Sequence, residues 1–282
     1  MTNTTADRTV TDAPASIDRA PRVVVLRSRG TNCDLEAVRA FELEGASVER
    51  VHTNRLAERP QLVSECDVLF LPGGFSHGDY VAAGRVMAAE VRHLLGDALH
   101  DFVANGGFVI GVCNGFQVLV DLGLLEGRER AAHERRVALA PNHSGRFECR
   151  WVHLKNERCN ADWLEEGAVW PVPVAHAEGR VALAPGALAD FERRGLVALR
   201  YTDANGAELP AGDAGYPACP NGADANIAGL CDATGRVLGL MPHPERNLDP
   251  WNHPAWTRLG ERAEGEGRAF FRGLVRAASL AR

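Results

Sequence analysis

Residues 108 to 125 read FVIGVCNGFQVLVDLGLL: an apolar run, a cysteine with glycine two positions to either side, then apolar residues at helical spacing. Phe108, Val109, Ile110 and Val112 place four large apolar side chains in five positions, which requires a strand covered on both faces. Phe116, Val118, Leu119, Leu122 and Leu125 recur at three- and four-residue steps, and Gly123 and Gly127 offer places for the helix to stop. The chain must therefore turn sharply at Cys113. Gly111 and Gly115 suit that turn, since small flanking residues let it lift the side chain out of the sheet, as in the nucleophile elbow of G-x-S-x-G hydrolases.

Outward from this strand–turn–helix unit the same alternation continues. RVVVLR (22 to 27), CDLEAVRAFELEG (33 to 45), ASVERVH (46 to 52), CDVLFLPGG (66 to 74) and a long helical stretch lead into Phe108. Alternating apolar runs and helical patterns predict βαβ units, hence an α/β fold with a mostly parallel open sheet flanked by helices. Ligands in such sheets bind beyond the C-terminal ends of the strands, where RGTNCD, PGGFSHGDY and the Cys113 turn all fall. After about residue 130 the pieces are shorter: RVALAP, RFECRWVHL, VWPVPVAH and LVALRYTD predict added antiparallel strands, and VLGLMPHPE returns to a buried strand. The recurrence of RVALAP at 136 to 141 and 180 to 185 reads as coincidence, because the flanking sequences differ. Residues 208 to 226 are rich in Gly, Pro and Ala and predict a long loop. No linker divides the chain. A disordered polar tail over 1 to 21 and one domain over 22 to 282 are expected, with a C-terminal extension from about 247 that carries Trp251 and Trp256 and ends in a helix through Ala269, Phe270, Leu274 and Val275.

Composition removes several classes of function. The net charge is −6 and no dense basic cluster occurs, which argues against a general nucleic-acid or anionic-membrane surface. Arg128, Arg130, Arg135 and Arg136 are interrupted by Glu129 and Glu134 and read as a solvated face. No apolar run approaches the roughly 20 residues of a membrane helix. Seven cysteines without C-x-x-C pairs predict reduced thiols and a cytoplasmic setting, and the scattered histidines predict no metal site.

A free cysteine is more often a packed core residue than a nucleophile, and the turn alone leaves both readings standing. At the start of a helix, exposed N–H groups and the helix dipole favour the thiolate. A catalytic cysteine also needs an oriented base, and MPHPER supplies one at another strand end: His243 to take the thiol proton and Glu245 to fix its tautomer. Pro242 and Pro244 favour an extended segment that could set both side chains on one side. Gly73 and Gly74 let backbone N–H groups approach a developing oxyanion, with the N–H of Asn114 as the natural second donor.

Taken together, GVCNGFQ, PGGFSHGDY, RGTNCD, NHSGRFECRW and MPHPER resemble the glutamine amidotransferase subunits of phosphoribosylformylglycinamidine synthase, from about Arg22 to Arg246. The resemblance implies a class I Cys-His-Glu glutaminase with a flavodoxin-like core. It implies Cys113 as nucleophile, His243 as base, Glu245 as its orienting partner, and Gly74 and Asn114 as oxyanion donors. Gln117, Asn142, Ser144 and Phe147 match positions that hold the amino-acid end of glutamine. His77 departs from the pattern, standing where tyrosine is usual. With no P-loop in the chain, the resemblance implies no cofactor here and a large synthetase subunit, with a small accessory subunit as a further candidate, that uses ATP and Mg to consume the ammonia. A hydrolase of another amide or peptide, and a non-catalytic binding subunit, are the competing readings.

Overall fold

The computed structural model describes residues 19 to 126 and 135 to 281. Residues 1 to 18 of the expected tail, and Arg128, Glu129, Arg130 and Glu134 of the arginine-rich stretch, lie outside the described residues. The apolar runs become strands: β1 (Arg22–Arg27), β2 (Ser47–His52), β3 (Val68–Leu71), β4 (Phe108–Val112), β5 (Val137–Pro141), β6 (Glu148–Asn156), β7 (Val169–His176), β8 (Glu178–Leu183), β9 (Val197–Thr202), β10 (Ile227–Cys231) and β11 (Val237–Leu240). The helices are α1 (Asp34–Leu43), α2 (Thr53–Glu58), α3 (Arg85–Leu95), α4 (Ala98–Ala104), α5 (Asn114–Leu122), α6 (Ala187–Arg193) and α7 (Arg268–Leu280).

Nine strands form one sheet in the order β2-β1-β3-β4-β11-β10-β9-β6-β7. The first five are mutually parallel, and each remaining neighbour is antiparallel to the one before it. Alternation returns β9 and β7 to the direction of the parallel set, so seven of the nine strands (five plus two) point the same way. β3, β4 and β11 are buried at every position, as continuous Val, Ile, Leu and Phe require of strands covered on both faces. The two RVALAP copies supply β5 and β8, which pair antiparallel as a separate two-stranded sheet. Their likeness is that of paired strands.

α5 stops one turn earlier than its apolar spacing suggested, because Gly123 takes the left-handed conformation (φ 77°) as its cap. Leu124 and Leu125 stay buried beyond it. The C-terminal helix α7 packs on this chain. Phe271 meets Phe41 of α1 and Phe70 of β3 at centroid distances of 5.0 and 6.1 Å, while Phe270 meets Trp163 at 5.2 Å and Trp170 of β7 at 6.4 Å. One helix thereby joins the parallel half to the far edge strand. Trp251 and Trp256 remain exposed. Residues 208 to 226 form the expected loop, broken by short 3-10 turns at Gly212–Gly215 and Asp224–Asn226. No helix among the described residues is long and apolar enough to cross a membrane.

Candidate active site

Cys113 sits between β4 and α5 with φ 52° and ψ −106°, a left-handed backbone that costs a residue with a side chain about 1–3 kcal/mol. The two flanking glycines make the turn possible. A Cβ on Gly115 would stand 1.9 Å from the Leu71 carbonyl oxygen, and one on Gly111 would stand 2.5 Å from that of Gly115. Strand, turn and helix are thus in backbone contact, and the Cys113 side chain is the group that projects. As the first helical residue, Asn114 has an N–H with no intrahelical acceptor.

β11 runs beside β4 in parallel register, with Leu240 opposite Val112, so the segment after β11 emerges next to Cys113. The expected extended HPE segment is instead a 3-10 turn at Pro244–Arg246, with Pro244 at its first position where no N–H is needed. That turn folds Glu245 back, placing its Oε1 2.6 Å from His243 Nδ1. Both residues are 1% exposed. With Nδ1 held by the carboxylate, Nε2 is the nitrogen left to serve Cys113, and no group among the described residues hydrogen-bonds to it. Burial would push the imidazole pKa down, but the charges of Glu245 and Cys113 and the contact with Cys113 outweigh it and raise it well above the ordinary value.

Gly73 separates the two reacting groups. A Cβ there would lie 2.6 Å from His243 Cε1 and 3.3 Å from Cys113 Cβ, so glycine is what lets imidazole and thiol share the site. Its carbonyl accepts the N–H groups of Asn32 and Cys33, which fixes the strand end. Gly74 (φ 142°) opens onto the cavity beside Cys113. The following loop is held by Asn114, whose Oδ1 accepts Ser76 N–H at 3.2 Å and whose Nδ2 donates to Asp79 Oδ1 at 3.0 Å and Gln117 Oε1 at 2.9 Å. Gln117 in turn donates to the Glu178 carbonyl. His77, at φ 53°, sets its Nε2 2.9 Å from Glu90 Oε2, so a hydrogen-bonding imidazole stands where the resemblance expects tyrosine.

The far edge of the sheet returns to this point, although β11, β10, β9 and β6 lie between β4 and β7. Among the described residues β7 pairs only with β6, and Pro171 and Pro173 mark its free edge, where a missing N–H leaves no ladder unfinished. Carbonyls at alternate positions point out from that edge. Pro171 accepts Asn247 Nδ2 at 2.9 Å, Pro173 accepts His243 N–H at 2.9 Å, and Ala175 accepts the Cys113 thiol at 3.7 Å. Cys113, Gln117, Gly74, Asp79, His176 and Glu178 thereby come to line one cavity of about 290 Å³. His176 is 3% exposed, and burial followed by the charge of His243 depresses its pKa to about 3, so the ring is neutral. Its Nδ1 lies 3.0 Å from Asn142 Oδ1.

Cys33 is a second thiol in this centre, which the sequence marked only as one reduced cysteine among seven. Its Sγ accepts from Arg246 Nη2 at 3.0 Å and lies 3.9 Å from His243 Nδ1. Burial, the largest influence, raises its pKa and keeps it protonated. Donor atoms of Cys33, His243 and Glu245 fall within 4.8 Å of one another, but the Arg246 guanidinium against the sulfur opposes a metal cation there.

Among the matched glutamine positions, Gln117 lines the cavity, whereas Phe147 does not and instead sets its ring 6.3 Å from that of the lining residue Phe75. Asn142 is set one step back. Its Nδ2 donates to the carbonyls of Arg146 and His176 and its Oδ1 meets the His176 ring, so it positions His176. Ser144 lines a neighbouring groove with His143 and Tyr216 and accepts Arg146 N–H at 3.3 Å. The sequence reading missed Asp79, His176 and Glu178. Alternate prolines in VWPVPVAH were the available signal, since they mark an edge strand that another segment can join.

A model of the CobB/CobQ-like glutamine amidotransferase domain matches residues 20 to 276. The phosphoribosylformylglycinamidine synthase subunit PurQ of Dehalococcoides mccartyi is 40% identical over 256 residues, covering 90% of this chain and 96% of its own. The PurQ subunit of Archaeoglobus fulgidus is 39% identical over 269 residues, with 90% and 96% covered. A chain in the solved structure of PurLQS from Thermotoga maritima superposes with a TM-score of 0.65 at 29% identity, covering 92% of this chain and 99% of that one.

Proposed function

Because this chain belongs to the CobB/CobQ-like glutamine amidotransferase family, we propose that it is the glutaminase subunit of phosphoribosylformylglycinamidine synthase. It hydrolyses L-glutamine and passes ammonia to a large synthetase subunit, working with a small accessory subunit, that converts formylglycinamide ribonucleotide to formylglycinamidine ribonucleotide. One observation carries the chemistry: Cys113 projects from a left-handed turn beside His243, whose other ring nitrogen is fixed 2.6 Å from Glu245.

In this reading the Cys113 proton moves to His243 Nε2 and the thiolate attacks the glutamine amide carbon. The oxyanion that forms faces the N–H groups of Gly74 and Asn114. Collapse breaks the C–N bond, and the leaving nitrogen takes the proton from His243 and departs as ammonia, leaving a glutamyl thioester. His243 then takes a proton from water, hydroxide adds to the thioester, and glutamate leaves as the proton returns to sulfur. ATP and Mg belong to the partner's half of the reaction. The free thiols of Cys33, Cys113, Cys149, Cys159, Cys219 and Cys231 support a cytoplasmic setting. Cys113→Ala in the reconstituted complex should abolish glutamine-dependent amination and leave ammonia-dependent amination intact. Retained glutamine use would overturn the assignment.

A further inference from the structure

The catalytic centre holds a buried thiol for which the chemistry above has no use. Cys33 precedes α1 and is fixed from three directions: its N–H donates to the Gly73 carbonyl at 3.2 Å, its carbonyl accepts the N–H of Ala37 at 3.1 Å, and its thiol donates to Asn32 Oδ1 at 3.2 Å. With the S–H directed at Asn32, the sulfur lone pairs are free to accept. Arg246 Nη2 donates to the sulfur at 3.0 Å, and His243 Nδ1 lies 3.9 Å from it. One sulfur therefore touches both a guanidinium and the ring that serves Cys113.

Arg246 is the neighbour most able to disturb the pairing of His243 with Glu245. It follows Glu245 in the chain, is half-buried and feels the charges of Glu245 and Glu36, yet it forms no ion pair with a carboxylate among the described residues. Glu245 could receive it. The Oε2 atom of Glu245 is buried and accepts no hydrogen bond, and a Glu245 oxygen lies within 4.8 Å of the Cys33 sulfur that Arg246 touches. Guanidinium and carboxylate make charge-assisted, often bidentate hydrogen bonds, which outmatch a contact to sulfur. A guanidinium seated on Glu245 would draw off the negative charge that steadies the His243 imidazolium and would weaken the 2.6 Å contact at Nδ1.

We propose that Cys33 is a positioning residue of the catalytic centre, whose sulfur holds the Arg246 guanidinium off the Glu245 carboxylate so that Glu245 serves His243 alone. This inference rests on the glutaminase reading and adds a fourth side chain to the three that it assigns. Cys33 takes no part in bond making. Its sulfur supplies the acceptor that a half-buried guanidinium needs, and it fills the space through which that guanidinium would reach the carboxylate.

The test measures ammonia release from glutamine by the complex of full-length chain and synthetase subunits. Cys33→Ala should lower kcat about 10- to 100-fold, the scale on which a charged hydrogen bond is lost, with the KM for glutamine nearly unchanged. Cys33→Ser keeps an acceptor and should stay within about threefold of wild type. The decisive variant is the double one. Cys33→Ala with Arg246→Gln should regain most of the lost kcat, because the competitor for Glu245 is gone. A residue that merely fills space would show no such recovery. Ammonia-dependent amination reports that each variant is folded and docked. An unchanged kcat in Cys33→Ala, or a double variant as slow as Cys33→Ala, would overturn the proposal. Arg246→Gln alone does not depend on the alanine variant folding, and it should change kcat by less than about threefold. A far larger loss there, with ammonia-dependent amination intact, would show that the guanidinium itself supports the pair and would also overturn the proposal. If the unaltered complex released no ammonia from glutamine, the glutaminase reading itself would fall and this inference with it.

Discussion

The two sides of the nine-stranded sheet make unlike contributions to one site. The parallel side supplies the reacting groups: Cys113 one residue beyond β4, Gly73 two residues beyond β3, and His243 three residues beyond β11. The antiparallel side supplies a wall, through Ala175 and His176 at the end of β7, and Glu178 at the start of β8 in the adjoining two-stranded sheet continues it. Adjacent parallel strands deliver their C-terminal ends to the same edge, so the first set is positioned by topology alone. The second set arrives only because the sheet curls until a free edge meets the 243 to 247 segment. Chemistry is therefore placed on the locally determined side, and the shape of the substrate pocket depends on the side set by long-range packing.

If that division is right, disturbing the parallel side should stop turnover without unfolding the protein. Gly73→Ala is the sharpest probe, because its Cβ would stand 2.6 Å from His243 Cε1 and displace the ring that serves Cys113. Glutamine hydrolysis should fall by about 100-fold or more in kcat, since small misplacements of a catalytic group carry losses of that order. Thermal stability and ammonia-dependent amination should change little. A loss expressed in KM alone would break the comparison.

On the antiparallel side the corresponding probe is pH. Folded His176 holds its pKa near 3, whereas the unfolded chain takes up that proton near 6.5. The unfolded state thus binds more protons between those values, and stability must fall as pH drops through this window. Between pH 6.5 and 5 the effect amounts to at most about 2 kcal/mol. Its absence in His176→Gln should flatten the decline of Tm over that range. His243 is raised instead of lowered, so its contribution is complete below 6.5 and fades as pH climbs through its elevated value. The two histidines of one site therefore act in separate windows. A melting profile for His176→Gln as steep as wild type would show that burial of this ring is not what couples the wall to folding.

The same division explains what could be read from sequence. β3, β4 and β11 announce themselves by continuous apolar residues, and the G-x-C-x-G spacing marks the turn because backbone contacts at Gly111 and Gly115 admit no side chain. His243 and Glu245 were legible as a pair, but their contact comes from a 3-10 turn and not from an extended segment. His176 and Glu178 were not legible. Their strands read as ordinary antiparallel pieces, and nothing local states that an edge separated from β4 by four strands will return to Cys113. Asp79 was hidden differently: its left-handed backbone (φ 52°) and its bond to Asn114 set its direction, and neither is a property of the PGGFSHGDY pattern.

The smallest expected effect concerns Ser144, which sequence resemblance placed at the amino-acid end of glutamine. Its hydroxyl accepts the N–H of Arg146 within its own turn, and it faces the groove of His143 and Tyr216, apart from the Cys113 cavity. Removing one exposed hydroxyl–amide contact changes stability by no more than about 0.5 kcal/mol. Ser144→Ala should shift the KM for glutamine less than twofold, whereas Asn142→Ala, which releases the His176 ring and leaves two carbonyls without their donor, should raise it several fold. The contrast within one short turn separates a residue that shapes the wall from a neighbour that does not. A large KM effect at Ser144 would mean that this turn folds over the cavity when glutamine binds, bringing the serine to the substrate.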